Sequence, residues 1–110
     1  MIKKQHRLSR TQFSEYFKTG KRFHFEHLTL VYSPAPTFMS AVVVSKKVAK
    51  GAVRRNTIKR RIYARLATFQ KETGFSGVII VIIKPSFNSL SRVAADEFVC
   101  KSIATLPTST

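Results

Sequence analysis

The chain has 110 residues, of which 20 are Lys or Arg and 5 are Asp or Glu, for a formal net charge of +15. That length suits one domain, and a hydrophobic fraction of 44% with nine Phe and three Tyr excludes a disordered polycation, which lacks aliphatic and aromatic content. The longest strongly apolar run, Val78 to Ile83, has six residues where a membrane span needs roughly twenty, so nucleic acid is a better polyanionic partner than membrane.

The N-terminus is basic but no apolar stretch follows it, and nothing marks the chain for export. Cys100 is the single cysteine, which excludes an internal disulfide or a thiolate cluster and fits a cytoplasmic location. Residues 1–110 are expected to form one RNA-binding domain with frayed ends at about 1–7 and 107–110. A first helix is expected from Ser9, with Gln12 three residues on completing a capping box, Leu8 and Phe13 at the staple positions, and Gly20 as the residue after the C-cap. Phe13, Tyr16 and Phe17 give this helix an aromatic face.

Arg22 to Tyr32 reads as a strand and is stopped by Ser-Pro-Ala-Pro; Phe38 to Ser45 reads as a second, and the two as a hairpin. A long basic helix follows, then a loop over Lys71 to Gly77 and an apolar strand from Val78 to Lys84. That strand lacks a polar face, so it is expected to be central or covered on both sides. The last helix runs from about Ser89 to Leu106, capped by Ser89 or Ser91. The expected order is helix, strand, strand, helix, strand, helix.

The basic helix carries most of the functional signal. Nine of the twenty Lys and Arg residues fall between Ser45 and Arg65, with no acid among them. At 100° per residue, Ile58, Ile62, Leu66 and Phe69 fall within an arc of about 80°, a stripe that docks the helix on a sheet. Asn56, Lys59, Arg60 and Tyr63 lie to one side of the stripe, while Arg54, Arg61 and Arg65 lie on the other flank. Arg55 falls near the stripe's centre, so the helix has barely begun there or Arg55 snorkels past the core. Lys50 to Asn56, at a helix N-terminus with free N–H groups, suits phosphate.

Catalytic groups are scarce. Glu15, Glu26, Glu72, Asp96 and Glu97 are scattered over several elements, so no carboxylate cluster for two-metal hydrolysis is expected. His24 and His27 make a poor metal pair and no phosphate-loop or zinc-ligand spacing occurs. No metal site on the protein is predicted.

Val44-Ser45-Lys46-Lys47-Val48, then Lys50-Gly51-Ala52-Val53-Arg54-Arg55-Asn56 and Ile58-Lys59-Arg60-Arg61-Ile62, resembles the signature of the bacterial ribonuclease P protein subunit. Arg7-Leu8, the Phe13 to Gly20 segment and Ile83-Lys84-Pro85 extend the likeness from about Arg7 to Leu106. The resemblance implies an α+β fold, a single-domain α/β sandwich of order α-β-β-α-β-α whose central sheet bears the basic helix in a left-handed β-α-β crossover, against the usual hand. It implies a noncatalytic subunit, monomeric and one per RNA. This subunit binds the catalytic RNA of ribonuclease P and the 5′ leader of precursor tRNA, while the RNA holds magnesium and performs the cleavage.

Carried over by position, Arg55, Asn56, Lys59, Arg60 and Lys47 match the family's RNA-contacting residues, and Lys50, Arg54 and Arg61 join them as candidate contacts to the catalytic RNA. Phe13 and Phe17 match the leader cleft, where stacking on aromatic rings contributes about 1–3 kcal/mol per base. Tyr32 is assigned to the same cleft, although Val31 holds the matching register and adjacent strand residues face opposite ways. Thr57 and Tyr63 depart from the family pattern, standing where Arg is common. The alternative is a ribosomal or ribosome-associated RNA-binding protein, which would share size, charge and α/β character.

Overall fold

The computed structural model describes residues 7–106. The ends expected to fray lie outside that range, except for Arg7, which forms a bridge with Ser40. The capping box starts α1, Arg10–Thr19: the Gln12 N–H donates to the Ser9 hydroxyl at 3.2 Å, and the Ser9 N–H donates to the Gln12 side chain at 3.0 Å. Gly20 ends this helix in extended backbone, φ −70°, instead of the left-handed turn expected of a glycine there. Space is what requires glycine: a Cβ would sit 2.4 Å from Cγ1 of Val31 and 2.8 Å from the Tyr16 carbonyl oxygen.

The segment from Arg22 to Tyr32, expected as one strand, folds back at Phe25–His27. It yields β1, Lys21–His24, and β2, Leu28–Ser33, paired antiparallel. β3, Phe38–Val43, does not form the expected hairpin with β2, because β4, Gly77–Ile83, enters between them. β4 runs antiparallel to β2 and parallel to β3, giving the order β1-β2-β4-β3. Its unbroken Val and Ile run needs cover on both faces, and only the centre of the sheet supplies it. Gly77 to Val81 and Ile83 are buried.

α2, Ala52–Thr73, makes the parallel crossover from β3 to β4. Ile58, Ile62 and Leu66 are buried, as the stripe predicts, and Phe69 packs on Phe75 with ring centroids 5.4 Å apart. Gly74, in the left-handed conformation at φ 67°, closes α2 by donating its N–H to Gln70. The helix thus takes in Lys71 to Thr73, the first three residues of the segment expected as loop. A 3-10 turn at Pro85–Ser89 follows β4, and Ser91, rather than Ser89, caps α3, Arg92–Ala104.

The resulting α+β fold has helices on both faces of a mixed sheet. Ile58, Ile62 and Leu66 of α2 and Val99 and Ile103 of α3 pack with Leu28, Leu30, Phe38, Val42, Ile79 and Val81 on one face. On the other, α1 packs over Val31, Val78 and Ile80. β3 is an edge strand, and its edge is partly covered. The Leu8 N–H donates to Ser40 O at 3.0 Å and the Val42 N–H to the Tyr63 hydroxyl at 3.2 Å, which blunts a template for unwanted pairing. Among the described residues, no helix is long and apolar enough to cross a membrane.

Candidate nucleic-acid interface

The basic surface begins in the turn between β3 and α2. The N–H groups of Val48 and Ala49 both donate to Ser45 O, at 3.0 and 3.2 Å, and Asn88 donates to the Val48 carbonyl. Val48 and Ala49 are buried, which leaves Lys46, Lys47 and Lys50 outside. Gly51 is the N-cap of α2, has no side chain to cap with, and has nothing within 4 Å of where a Cβ would stand. Ala52, Val53 and Arg54 therefore begin the helix with N–H groups that lack intrahelical acceptors, beside exposed lysines.

Arg55 does not project from this surface as a free cation. Its Nη1 donates to the carbonyls of Ala49 at 2.9 Å and Lys50 at 2.7 Å. It is half-buried and braces the turn that presents Lys50 and Gly51. Both alternatives for its place on the apolar stripe have a share in this outcome: α2 has only begun at Arg55, and the side chain turns back along the turn instead of crossing the core.

One helical turn later the side chains converge. Asn56, Lys59, Arg60 and Tyr63 of α2 line a groove with Arg7, which arrives from the segment along the β3 edge. The Arg7 guanidinium carbon lies 5.1 Å from the Tyr63 ring centroid, a cation–π arrangement. Tyr63 is anchored by the β3 backbone through its hydroxyl. Burial raises its pKa above the ordinary 10.0, against smaller lowering effects of the Val42 N–H and of Arg7. Tyr63 thus gives the groove a fixed floor and the cations stand around it. Arg61 points to the other flank of α2, with Arg65 and, from α3, Arg92.

The aromatic positions divide between the two faces of the sheet. Phe13 and Phe17 stack with centroids 5.4 Å apart and an interplanar angle of 19°, on the α1 face beside half-buried Ala41, Val43 and Ile82. Arg22 of β1 lies over Phe17 at 4.4 Å and donates to its carbonyl at 3.0 Å. Tyr32, grouped with these phenylalanines by the resemblance, faces the opposite side and packs edge-on against Phe75 at 5.9 Å. Strand alternation puts Val31 on the α1 face and turns Tyr32 away from it.

The acids and histidines do not gather. Among the described residues, no three of His, Cys, Asp and Glu converge as a metal site. His24 meets Thr29 at 3.3 Å and His27 meets Ser86 at 2.9 Å, so each ring has a local structural partner.

The family model for Ribonuclease P matches residues 2–106. The chain belongs to the ribonuclease P protein family. The Ribonuclease P protein component of Microcystis aeruginosa is 40% identical over 86 residues, covering 69% of this chain and 71% of that protein. The component of a Picosynechococcus strain is 36% identical over 85 residues, 73% of each. The fold is shared with the solved Staphylococcus aureus RNase P protein, at a TM-score of 0.77 and 24% identity over 91% of this chain and 95% of that one. It is shared also with the Thermotoga maritima RNase P protein, at 0.71 and 22% over 89% and 96%.

Within this ribonuclease P protein, Asn56, Lys59 and Arg60 come together, Lys47, Lys50 and Arg54 are exposed around the start of α2, Arg55 braces it, and Arg61 stands apart. Sequence reasoning missed Arg7 and Arg22 as site residues. Arg7 was expected in a frayed end, although the Leu8 staple and Ser9 cap just after it are signs of an anchored segment. Arg22 carries no such local sign, because it reaches Phe17 only once β1 turns back from α1.

Proposed function

We propose that this chain is the RNA-binding subunit of a bacterial ribonuclease P, one monomeric domain that binds the catalytic RNA and the 5′ leader of precursor tRNA in the cytoplasm. The catalytic RNA binds magnesium and cleaves the substrate; the protein binds, and supplies no catalytic side chain. The observation that carries this reading is the groove of Arg7, Asn56, Lys59 and Arg60 around Tyr63, beside the uncapped start of α2. Guanidinium and ammonium groups next to free helix N–H groups suit phosphate oxygens. Offsetting phosphate repulsion between two RNAs lowers the magnesium they need.

The leader is assigned to the α1 face. Phe13 and Phe17 offer rings on which bases stack without regard to sequence, and Arg22 places a cation beside them. Reconstitution with a bacterial ribonuclease P RNA tests both assignments at low magnesium. Lys59→Ala with Arg60→Ala is expected to weaken catalytic RNA binding about tenfold or more and to flatten its salt dependence. Phe17→Ala is expected to weaken precursor tRNA with a leader by about 1–3 kcal/mol, and to leave mature tRNA affinity unchanged. Cleavage at the mature 5′ end by the protein without RNA would refute the noncatalytic role.

A further inference from the structure

The flank of α2 that faces α3 is a second basic groove, of about 410 Å³. Arg60, Arg61 and Arg65 line it from α2, and Arg92 and Asp96 line it from α3. The two helices advance side by side: Thr57 and Arg61 lie near Arg92 and Asp96, while Thr68 and Thr73 lie near Cys100 and Ala104. The N-terminus of α3 therefore lies against the second and third turns of α2, and the positive end of the α3 dipole adds to the arginines there.

No salt bridge among the described residues ties up these arginines. Among the described residues, the single ion pair is His27 with Glu26, so Asp96 is not within ion-pair distance of any of the arginines around it. Arg61, Arg65 and Arg92 are exposed. Arg92 is the first residue of α3, where the helix dipole disfavours a cation, and neither helix has an acid in its first turn. Folding does not reward the position of Arg92, and an anionic ligand explains it.

We propose that the α2–α3 groove is a second site for an RNA sugar-phosphate backbone, so that α2 is held between two segments of RNA instead of lying on one. This rests on the RNA-binding reading above. Arg61, Arg65 and Arg92 hold phosphates, and Asp96 accepts a hydrogen bond from a ribose 2′-hydroxyl. Arg60, which lines both grooves, is the ridge between the two segments.

Hydroxyl-radical footprinting of reconstituted complexes tests this, with backbone protections mapped on the catalytic RNA and on precursor tRNA. The proteins compared are wild type, Arg65→Gln/Arg92→Gln, Asn56→Ala/Lys59→Gln and Arg65→Lys/Arg92→Lys. Arg65→Gln/Arg92→Gln and Asn56→Ala/Lys59→Gln are expected to erase different sets of protections, and the RNA on which the Arg65/Arg92 set is lost identifies the occupant. Arg65→Gln/Arg92→Gln flattens the salt slope by about 1.4–1.8 for two phosphates and Asn56→Ala/Lys59→Gln by about 0.7–0.9 for one, while the lysine pair keeps the slope. Unchanged protections and affinity in Arg65→Gln/Arg92→Gln, with wild-type circular dichroism, would overturn the second site. Absence of protections by the wild-type protein would instead overturn the RNA-binding reading itself.

Discussion

Arg55 and Lys59 stand one turn apart on α2, and their side chains have opposite obligations. Arg55 gives two hydrogen bonds to the carbonyls that precede the helix, whereas Lys59 opens into the groove. Arg55→Ala is expected to lower unfolding free energy by about 1–3 kcal/mol, and Lys59→Ala to change it by less than about 0.5 kcal/mol while weakening RNA binding. Urea unfolding beside filter binding separates the two, and equal destabilisation would refute the division. Tyr63 adds a dependence on pH. Its folded pKa is raised above 10.0 by burial, so its contribution to stability is fully present below the unfolded value and is lost as pH rises through the folded one. Tyr63→Phe is expected to lose about 1 kcal/mol near neutrality, because the Val42 N–H loses its acceptor. It should then decline less steeply than wild type in thermal melts from about pH 9 to 11.

At the scale of elements, the N-terminus of α2 sets stability and binding against each other. A carboxylate at the N-cap accepts from free N–H groups and suits the dipole, so Gly51→Asp is expected to stabilise the fold by a few tenths of a kcal/mol. In the proposed complex the same carboxylate would repel a phosphate at those groups, so RNA affinity should fall; calorimetric melts and RNA titration should therefore move in opposite senses. Elements governed by neighbours in sequence were legible from the start. Ser9 with Gln12 fixed where α1 begins, the stripe Ile58, Ile62, Leu66 fixed the buried side of α2, and the polar-free run in β4 called for its central place. The bend at Phe25–His27 was not legible, since the residues on both sides favour strand and only pairing of Phe23 with Leu30 shows the reversal.

Over the whole molecule, the sheet keeps the basic groove and the aromatic pair apart, one beside α2 and the other under α1. Distant sites with no shared partner act additively. The double variant Phe17→Ala/Lys59→Ala is therefore expected to lose the sum of the two single losses in precursor binding by the holoenzyme, within about 0.5 kcal/mol. A larger discrepancy would mean that the surfaces communicate. Of the site, the α2 cations were legible because charge density and helical period are local properties. Arg7, Arg22 and Arg92 were not, because each reaches its place by the packing of one element on another.

The position of β4 has a consequence for how the protein is made. β2 and β3 are translated well before residues 77–83, and neither has its main hydrogen-bonding neighbour until those residues leave the ribosome. α2 too emerges before the strand that completes its docking surface. A nascent chain stopped ahead of β4 would display two open strand edges and an unanchored polycation, the combination most exposed to aggregation and to stray RNA. Completion of the basic surface is thus tied to a later step of synthesis, the arrival of the seven residues of β4.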